Sequence, residues 1–173
     1  MWSVLYILCG LPFSGKSVLA EMLKQRCGFE VVSIDAIKTE HGLRDVWQDM
    51  AAGDWQDIFD ESFLLIRQAL GRGNSVIHDS ANQTRESRDQ LRAIAQELGV
   101  PAQVIFVDVP PELAWQRWQA NKDSKERMNL PEWAINAAMT NYEPPGKDEG
   151  VVTYVLSDQG DPGRWISKNL HIV

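Results

Sequence analysis

No apolar run in the sequence approaches the roughly 20 residues that a membrane-spanning helix requires, so no membrane partner is expected. Cysteine is scarce. Cys9 and Cys27 do not make a disulfide framework, and both are expected as reduced, buried thiols. Histidine is also scarce: His41, His78 and His171 are scattered and form no ligand cluster. Positive charge is also short. Seventeen Lys and Arg face 24 Asp and Glu, giving a formal net charge of −7 and a pI of about 4.9. Such a chain has no general attraction for nucleic acid or for anionic membranes. A nucleic-acid partner is therefore disfavoured unless a local basic cleft exists, and a cationic substrate suits the balance better. Internal repeats, low-complexity tracts and interior linkers are absent, and 173 residues suit one domain over 1–173. The first twelve residues are apolar but carry no basic leader. They read as a buried strand running into a loop, not as a signal peptide, and a cytoplasmic location is expected.

What is present is alternation. Apolar, β-rich runs are expected as strands over 4–9, 31–34, 75–78, 103–107 and 151–156. Helical patterns fall between them, over about 17–26, 44–70 (broken near Gly53), 85–98, from Pro111 onward, from Pro131 to about Tyr142, and over about 163–169. Strands alternating with helices imply right-handed crossovers and a parallel sheet, and near-continuous apolar strands imply that both of its faces are covered. The fold class is therefore α/β with three layers.

Between the first strand and the first helix lies Gly10-Leu11-Pro12-Phe13-Ser14-Gly15-Lys16-Ser17, followed by Val18. It matches the phosphate-binding pattern G-x-x-x-x-G-K-[ST] in full and in the required strand–loop–helix context. Glycines let the backbone curl so that N–H groups converge on phosphates, and the helix adds its positive end. Lys16 is expected to reach the β- and γ-phosphates of ATP. Ser17 is expected to hold Mg²⁺.

Ligands of a parallel sheet bind beyond the carboxyl ends of its strands, so the acidic residues there stand out. Asp35 is the candidate general base, with helix capping as the alternative. Asp79 is a candidate for the magnesium shell, with loop formation as the alternative. Asp108 reads as a turn and cap residue, and His78 as a satisfied core histidine.

These residues, with the segments 76–85 and 106–117, occur in an order that resembles the P-loop kinase group of zeta toxins, polynucleotide kinases and chloramphenicol phosphotransferase. The resemblance spans about residues 5–145. It implies a P-loop NTPase fold with strand order 2-3-1-4-5 and a helical lid, here about 117–131, and it puts Asp35 in the base position. Lid cations in such proteins face the transferring phosphate, and the candidates are Arg117, Lys122, Lys125 and Arg127. Of these, Arg117 is taken as a nucleotide contact and Arg127 as catalytic. Acceptor specificity is expected from about 43–71, where Trp47, Trp55, Phe59 and Phe63 lie among Asp45, Asp49, Asp54, Asp57, Asp60 and Glu61. Most of these are expected on an ordinary amphipathic helix.

The expected activity is transfer of the γ-phosphoryl group of ATP to a hydroxyl of a small molecule. A polynucleotide 5′-hydroxyl kinase and a non-kinase ATP-binding module are the alternatives. Arg44, Arg67 and Arg72 are too scattered to favour a polynucleotide, with Arg85 and Arg88 as candidates for a local patch. Trp2 and Trp165 are candidates for exposure near the termini. The sequence does not fix the acceptor, the choice between ATP and GTP, or the oligomeric state.

Overall fold

The computed structural model describes residues 3–44, 46 and 50–170. Five strands form one parallel sheet: β1 (Leu5–Cys9), β2 (Glu30–Ser33), β3 (Val76–Asp79), β4 (Ala102–Asp108) and β5 (Val152–Val155), in the order β2-β3-β1-β4-β5. Among the described residues seven α-helices connect and cover it: α1 (Lys16–Cys27), α2 (Ile34–Glu40), α3 (Ala52–Gly71), α4 (Arg85–Glu97), α5 (Pro111–Ser124), α6 (Glu132–Thr140) and α7 (Pro162–Asn169).

β1 is central, and all five of its side chains are buried. Successive side chains of a strand point to opposite faces, and the two cores follow that period. Leu5, Ile7 and Cys9 pack with Ile58 and Ile66 of α3 and with Leu91 and Ile94 of α4. Tyr6 and Leu8 pack with Leu19 and Leu23 of α1 and with Trp165 and Ile166 of α7. This is why the strand reads as a continuous apolar run, and it produces the three-layer α/β fold expected of the sequence. A third cluster joins Leu11 and Val109 to Ala114 of α5, with Tyr142 packed against it.

Several local expectations are corrected. Ile34 belongs to α2, because the Ser33 side chain accepts a hydrogen bond from the Ala36 amide at 3.3 Å and caps that helix. Asp35 therefore lies in the helix's first turn and is not its cap. In the 44–70 segment, α3 begins at Ala52, where the Asp54 carboxylate accepts the Ala51 amide at 2.8 Å, so Gly53 sits in the first turn and does not break the helix. Asp108 ends β4 and does not cap α5, whose preceding residue is Pro110. Trp165 is buried against Tyr154 and donates its indole N–H to the Thr153 carbonyl at 2.7 Å. Trp2, Asp45, Trp47, Asp49 and His171 lie outside the described residues.

Arg88, which the sequence offered to a basic patch, is fully buried in α4. Its Nε donates to Glu149 at 2.6 Å, and its Nη1 donates to the carbonyls of Asn82 (3.0 Å) and Glu143 (2.9 Å). The pair thus ties the loop after β3 to the segment after α6. Burial pushes the Glu149 carboxyl up, but the Arg88 bond and the Gly146 amide more than offset this and hold it below the usual range. Glu149 therefore adds stability at neutral pH that is lost as pH falls through its depressed value. Arg88→Met should destabilise the fold by about 3–5 kcal/mol, because it strands a buried carboxylate. Urea unfolding should show that loss shrinking as pH falls, when Glu149 becomes protonated, and Arg88→Met/Glu149→Leu should recover much of it.

Candidate active site

The loop after β1 carries the densest set of constraints in the molecule. Gly10 has a φ of 152°, and a Cβ there would stand 2.6 Å from the Val107 carbonyl oxygen. Gly15, with a φ of 105°, precedes α1 in a left-handed conformation that other residues rarely adopt. The amides of the first turn of α1 have no partner within the helix, so they and the helix dipole suit an anion. Lys16 is buried, and its ammonium donates to the carbonyls of Gly10 (2.9 Å) and Leu11 (2.7 Å). Burial lowers its pKa to about 8, although Asp79 and Asp35 pull it upward.

The strand ends place two carboxylates beside this loop. Asp79, the last residue of β3, is buried. Its pKa is raised by burial, while a hydrogen bond with Ser17 and the charge of Lys16 pull it down. Burial also raises the pKa of Asp35, against the charges of Lys38, Lys16 and Arg44, even though its side chain opens to the cleft. A cavity of about 460 Å³ is lined by Lys16, Ser17, Asp35 and Asp79 together, and by Arg127. The Ser17 hydroxyl beside the Asp79 carboxylate is a hard-oxygen pair of the kind that holds Mg²⁺ when phosphates complete the shell. Among the described residues, no group of three or more His, Cys, Asp or Glu side chains could hold a metal alone.

Behind the loop, Asn82 donates its amide to the Leu8 carbonyl at 2.6 Å and lies 3.2 Å from His78 Nδ1. His78 is buried in the sheet, and burial lowers its pKa to about 4, so it is neutral at pH 7.

The lid candidates separate. Arg117 Nη1 donates to the carbonyls of Phe13 (3.1 Å) and Ser14 (3.2 Å), outside the curl of the loop. It lines a second cavity, also about 460 Å³, with Gly15, Tyr154 and Gln159. Arg127 lines both of these cavities and a third. Its backbone is fixed by Asn121, whose side chain accepts the Arg127 amide at 2.8 Å and donates to its carbonyl at 3.3 Å. Lys122 instead sits 3.9 Å from the Trp118 ring centroid, and Lys125 ends α5 in a left-handed conformation.

Residues 5–145 match the family model described as AAA domain. The chain belongs to this family. It is 30% identical over 144 residues to a bifunctional polynucleotide phosphatase/kinase of Schizosaccharomyces pombe, a match covering 83% of this chain and 31% of that one. The chain thus spans only about a third of the length of the first such relatives, 31%, 28% and 30% in three cases. A shikimate kinase of Nitratidesulfovibrio vulgaris is 27% identical, covering 71% of this chain and 67% of that one. Kti12 of Chaetomium thermophilum, solved in complex with ADP-AlF3, superposes with a TM-score of 0.76 at 18% identity, covering 98% and 99% of the two chains. The family and these relatives bear out the resemblance to a P-loop kinase group.

In this AAA domain chain, most of the 43–71 segment forms the amphipathic helix expected of it. Trp55 and Phe59 reach the cavity, whereas Phe63 packs into the core. Asp57 is exposed and Asp60 accepts from Gln56, so the acidic face of α3 does not line the cavity. Sequence reasoning missed the part of the lining formed by Trp133, Ala134, Ala137 and Asn141 of α6 and its end, and also missed Gln83. One signal was available: a tryptophan two residues after Pro131, beside small side chains.

A buried ammonium that binds phosphate must carry its proton. Because the pKa of Lys16 is depressed to about 8, ATP affinity should fall as pH rises above that value, by up to about tenfold per pH unit. Calorimetric titration with Mg-ATP at pH 7 and pH 9 measures this, and Lys16→Arg should remove the dependence.

Proposed function

We propose that this chain transfers the γ-phosphoryl group of ATP to a hydroxyl group of a small molecule. The observation that carries the reading is one cavity lined by the loop lysine and by the two strand-end carboxylates together. A nucleotide whose phosphates lie on the loop amides and Lys16 presents its γ-phosphoryl group to the same space that Asp35 faces. Ser17 and Asp79 would hold Mg²⁺, which would neutralise phosphate charge during transfer.

Asp35 accepts the proton of the acceptor hydroxyl as the oxygen attacks phosphorus, and ADP leaves. Lys16 and Arg127 stabilise charge on the transferring group. Arg117 contacts the nucleotide from the rim of the second cavity. The segment 117–131 acts as the lid, 43–71 contributes to the acceptor side, and 1–173 forms one kinase domain. A cytoplasmic setting with abundant ATP suits this activity, and no helix among the described residues is long and apolar enough to cross a membrane.

A polynucleotide 5′-hydroxyl kinase is the second reading, favoured by the similarity to the polynucleotide phosphatase/kinase. Against it, Arg67, Arg72, Arg85 and Arg88 are each paired with a carboxylate. A nucleotide-dependent binding module without transfer is the reading of another class.

Transfer of labelled γ-phosphate from Mg-ATP to a panel of small alcohols and a 5′-hydroxyl oligonucleotide separates the three. Asp35→Asn should keep ATP affinity and lose about 10²–10⁴-fold in kcat. The raised pKa of Asp35 places the acid limb of the wild-type kcat/KM profile above the ordinary aspartate range. Transfer by Asp35→Asn at the wild-type rate would refute the assignment.

A further inference from the structure

The stretch between α5 and α6, residues 125–131, brings Arg127, Met128 and Leu130 to the cavity that Asp35 and Asp79 line. It has no helix or strand of its own, yet one face of α5 holds it at two points. Lys125 closes α5 in a left-handed conformation, with its amide bonded to the Asn121 carbonyl at 2.8 Å, and the chain turns back there. Arg127 thereby comes beside the Asn121 side chain, which accepts the Arg127 amide at 2.8 Å and donates to the Arg127 carbonyl at 3.3 Å. Three residues earlier on the same face, Trp118 donates its indole N–H to the Leu130 carbonyl at 2.7 Å. Trp118 and Asn121 are both buried. Asparagine suits its place because one short side chain offers both an acceptor and a donor, so both backbone groups of a single residue are met. Arg127 itself is exposed: its backbone is held while its guanidinium stays available to a ligand. The charge of that guanidinium acts on both Lys16 and Asp79, so it lies within electrostatic reach of the phosphate loop.

We propose that Asn121 is a positioning residue for phosphoryl transfer, holding the Arg127 backbone where its guanidinium meets the γ-phosphoryl group in transit. This rests on the phosphotransfer reading above. Asn121 is not among the described lining residues of the cavity that holds Asp35, so it acts through Arg127. Two physical arguments support the role. An arginine on an irregular stretch must give up backbone freedom before it can meet the transferring group, and a clasp already made in the free protein removes that cost from the reaction step. Charge stabilisation of a transition state also depends on groups held within about 0.5 Å of their productive places, and an untethered backbone does not hold the end of a long side chain so closely. Loss of the Asn121 amide keeps the charge of Arg127 but releases its position. Bound ADP, held by the loop amides and Lys16, should therefore feel the change far less than the group in transit. An ordinary brace at a helix end would behave differently, because its loss would weaken every ligand alike.

The test titrates the whole chain with Mg-ADP, alone and with aluminium fluoride, in the wild type, Asn121→Ala, Arg127→Ala and the double variant, with urea unfolding of each as the check on folding. Asn121→Ala should cut the tightening by fluoride about tenfold and change the affinity for Mg-ADP alone by less than about threefold. The double variant should match Arg127→Ala, because two changes that act on one group do not add. Trp118→Phe, which keeps a ring and loses the indole N–H bond to Leu130, should cut the tightening in the same direction by less, and it decides the matter if Asn121→Ala does not fold. Full tightening in Asn121→Ala or, where that variant does not fold, in Trp118→Phe overturns the inference and leaves the kinase reading standing. So does an equal loss of affinity with and without fluoride, or a loss in the double variant beyond that of Arg127→Ala. Absence of tightening in the wild-type chain overturns the kinase reading and this inference with it.

Discussion

The ammonium of Lys16, confined beneath its own loop, is the constraint from which the rest of the site follows. A buried cation must be compensated, and here two loop carbonyls at 2.9 and 2.7 Å and the nearby charge of Asp79 share the task. In the loop that carries those carbonyls, Gly10 and Gly15 adopt positive φ. Gly10 can do so only where no Cβ meets the neighbouring strand, since the Val107 carbonyl is in the way. The loop in turn needs a rigid base. β1 provides it as the central strand, with its five side chains interdigitated with helices on both faces. The charge that a polyphosphate would meet is therefore held in place by the whole sheet.

The same economy of charge runs through the cleft. Lys16 and Arg127 line the cavity together with the carboxylates of Asp35 and Asp79, whose pKa values are raised by burial. Arg67, Arg72, Arg85, Arg88 and Arg92 are instead paired with carboxylates. Arg88 is buried against Glu149 and braces the loop after β3, from which Asn82 reaches the Leu8 carbonyl under the phosphate loop. The loop after β3, which lines the cavity, is thus tied to β1 beneath the phosphate loop. This coupling asks that both ligands find their places in a preorganised frame, which is where much of the advantage of proximity arises.

Much of this was legible in the sequence, for physical reasons that differ from residue to residue. The loop motif was readable because backbone geometry dictates glycine and lysine at fixed spacing. Strand order was readable only through the resemblance, since alternation implies a parallel sheet without fixing the order of its strands. Local hydrogen bonds escaped: the Ser33 cap moves Ile34 out of β2, and Asp54 caps α3 in a stretch that composition suggested was already helical. Long-range pairings escaped as well. Nothing near Arg88 in sequence announces Glu149, 61 residues away, and nothing near Trp165 announces the Thr153 carbonyl and the Tyr154 ring. Trp133 went unread because an aromatic residue on a short helix looks like core until the fold leaves its face open.

The central claim is that Lys16 and Arg127 converge on a phosphoryl group in transit, not merely on bound nucleotide. Calorimetric titration with Mg-ADP, alone and with aluminium fluoride, tests it most directly, because a site complementary to the transition state binds its mimic more tightly than the ground state. The account predicts that fluoride tightens ADP binding by about a hundredfold or more in the wild-type chain, and that Arg127→Ala removes most of the gain while ADP affinity persists. Equal affinity for ADP with and without aluminium fluoride would contradict it and favour a protein that only binds its nucleotide.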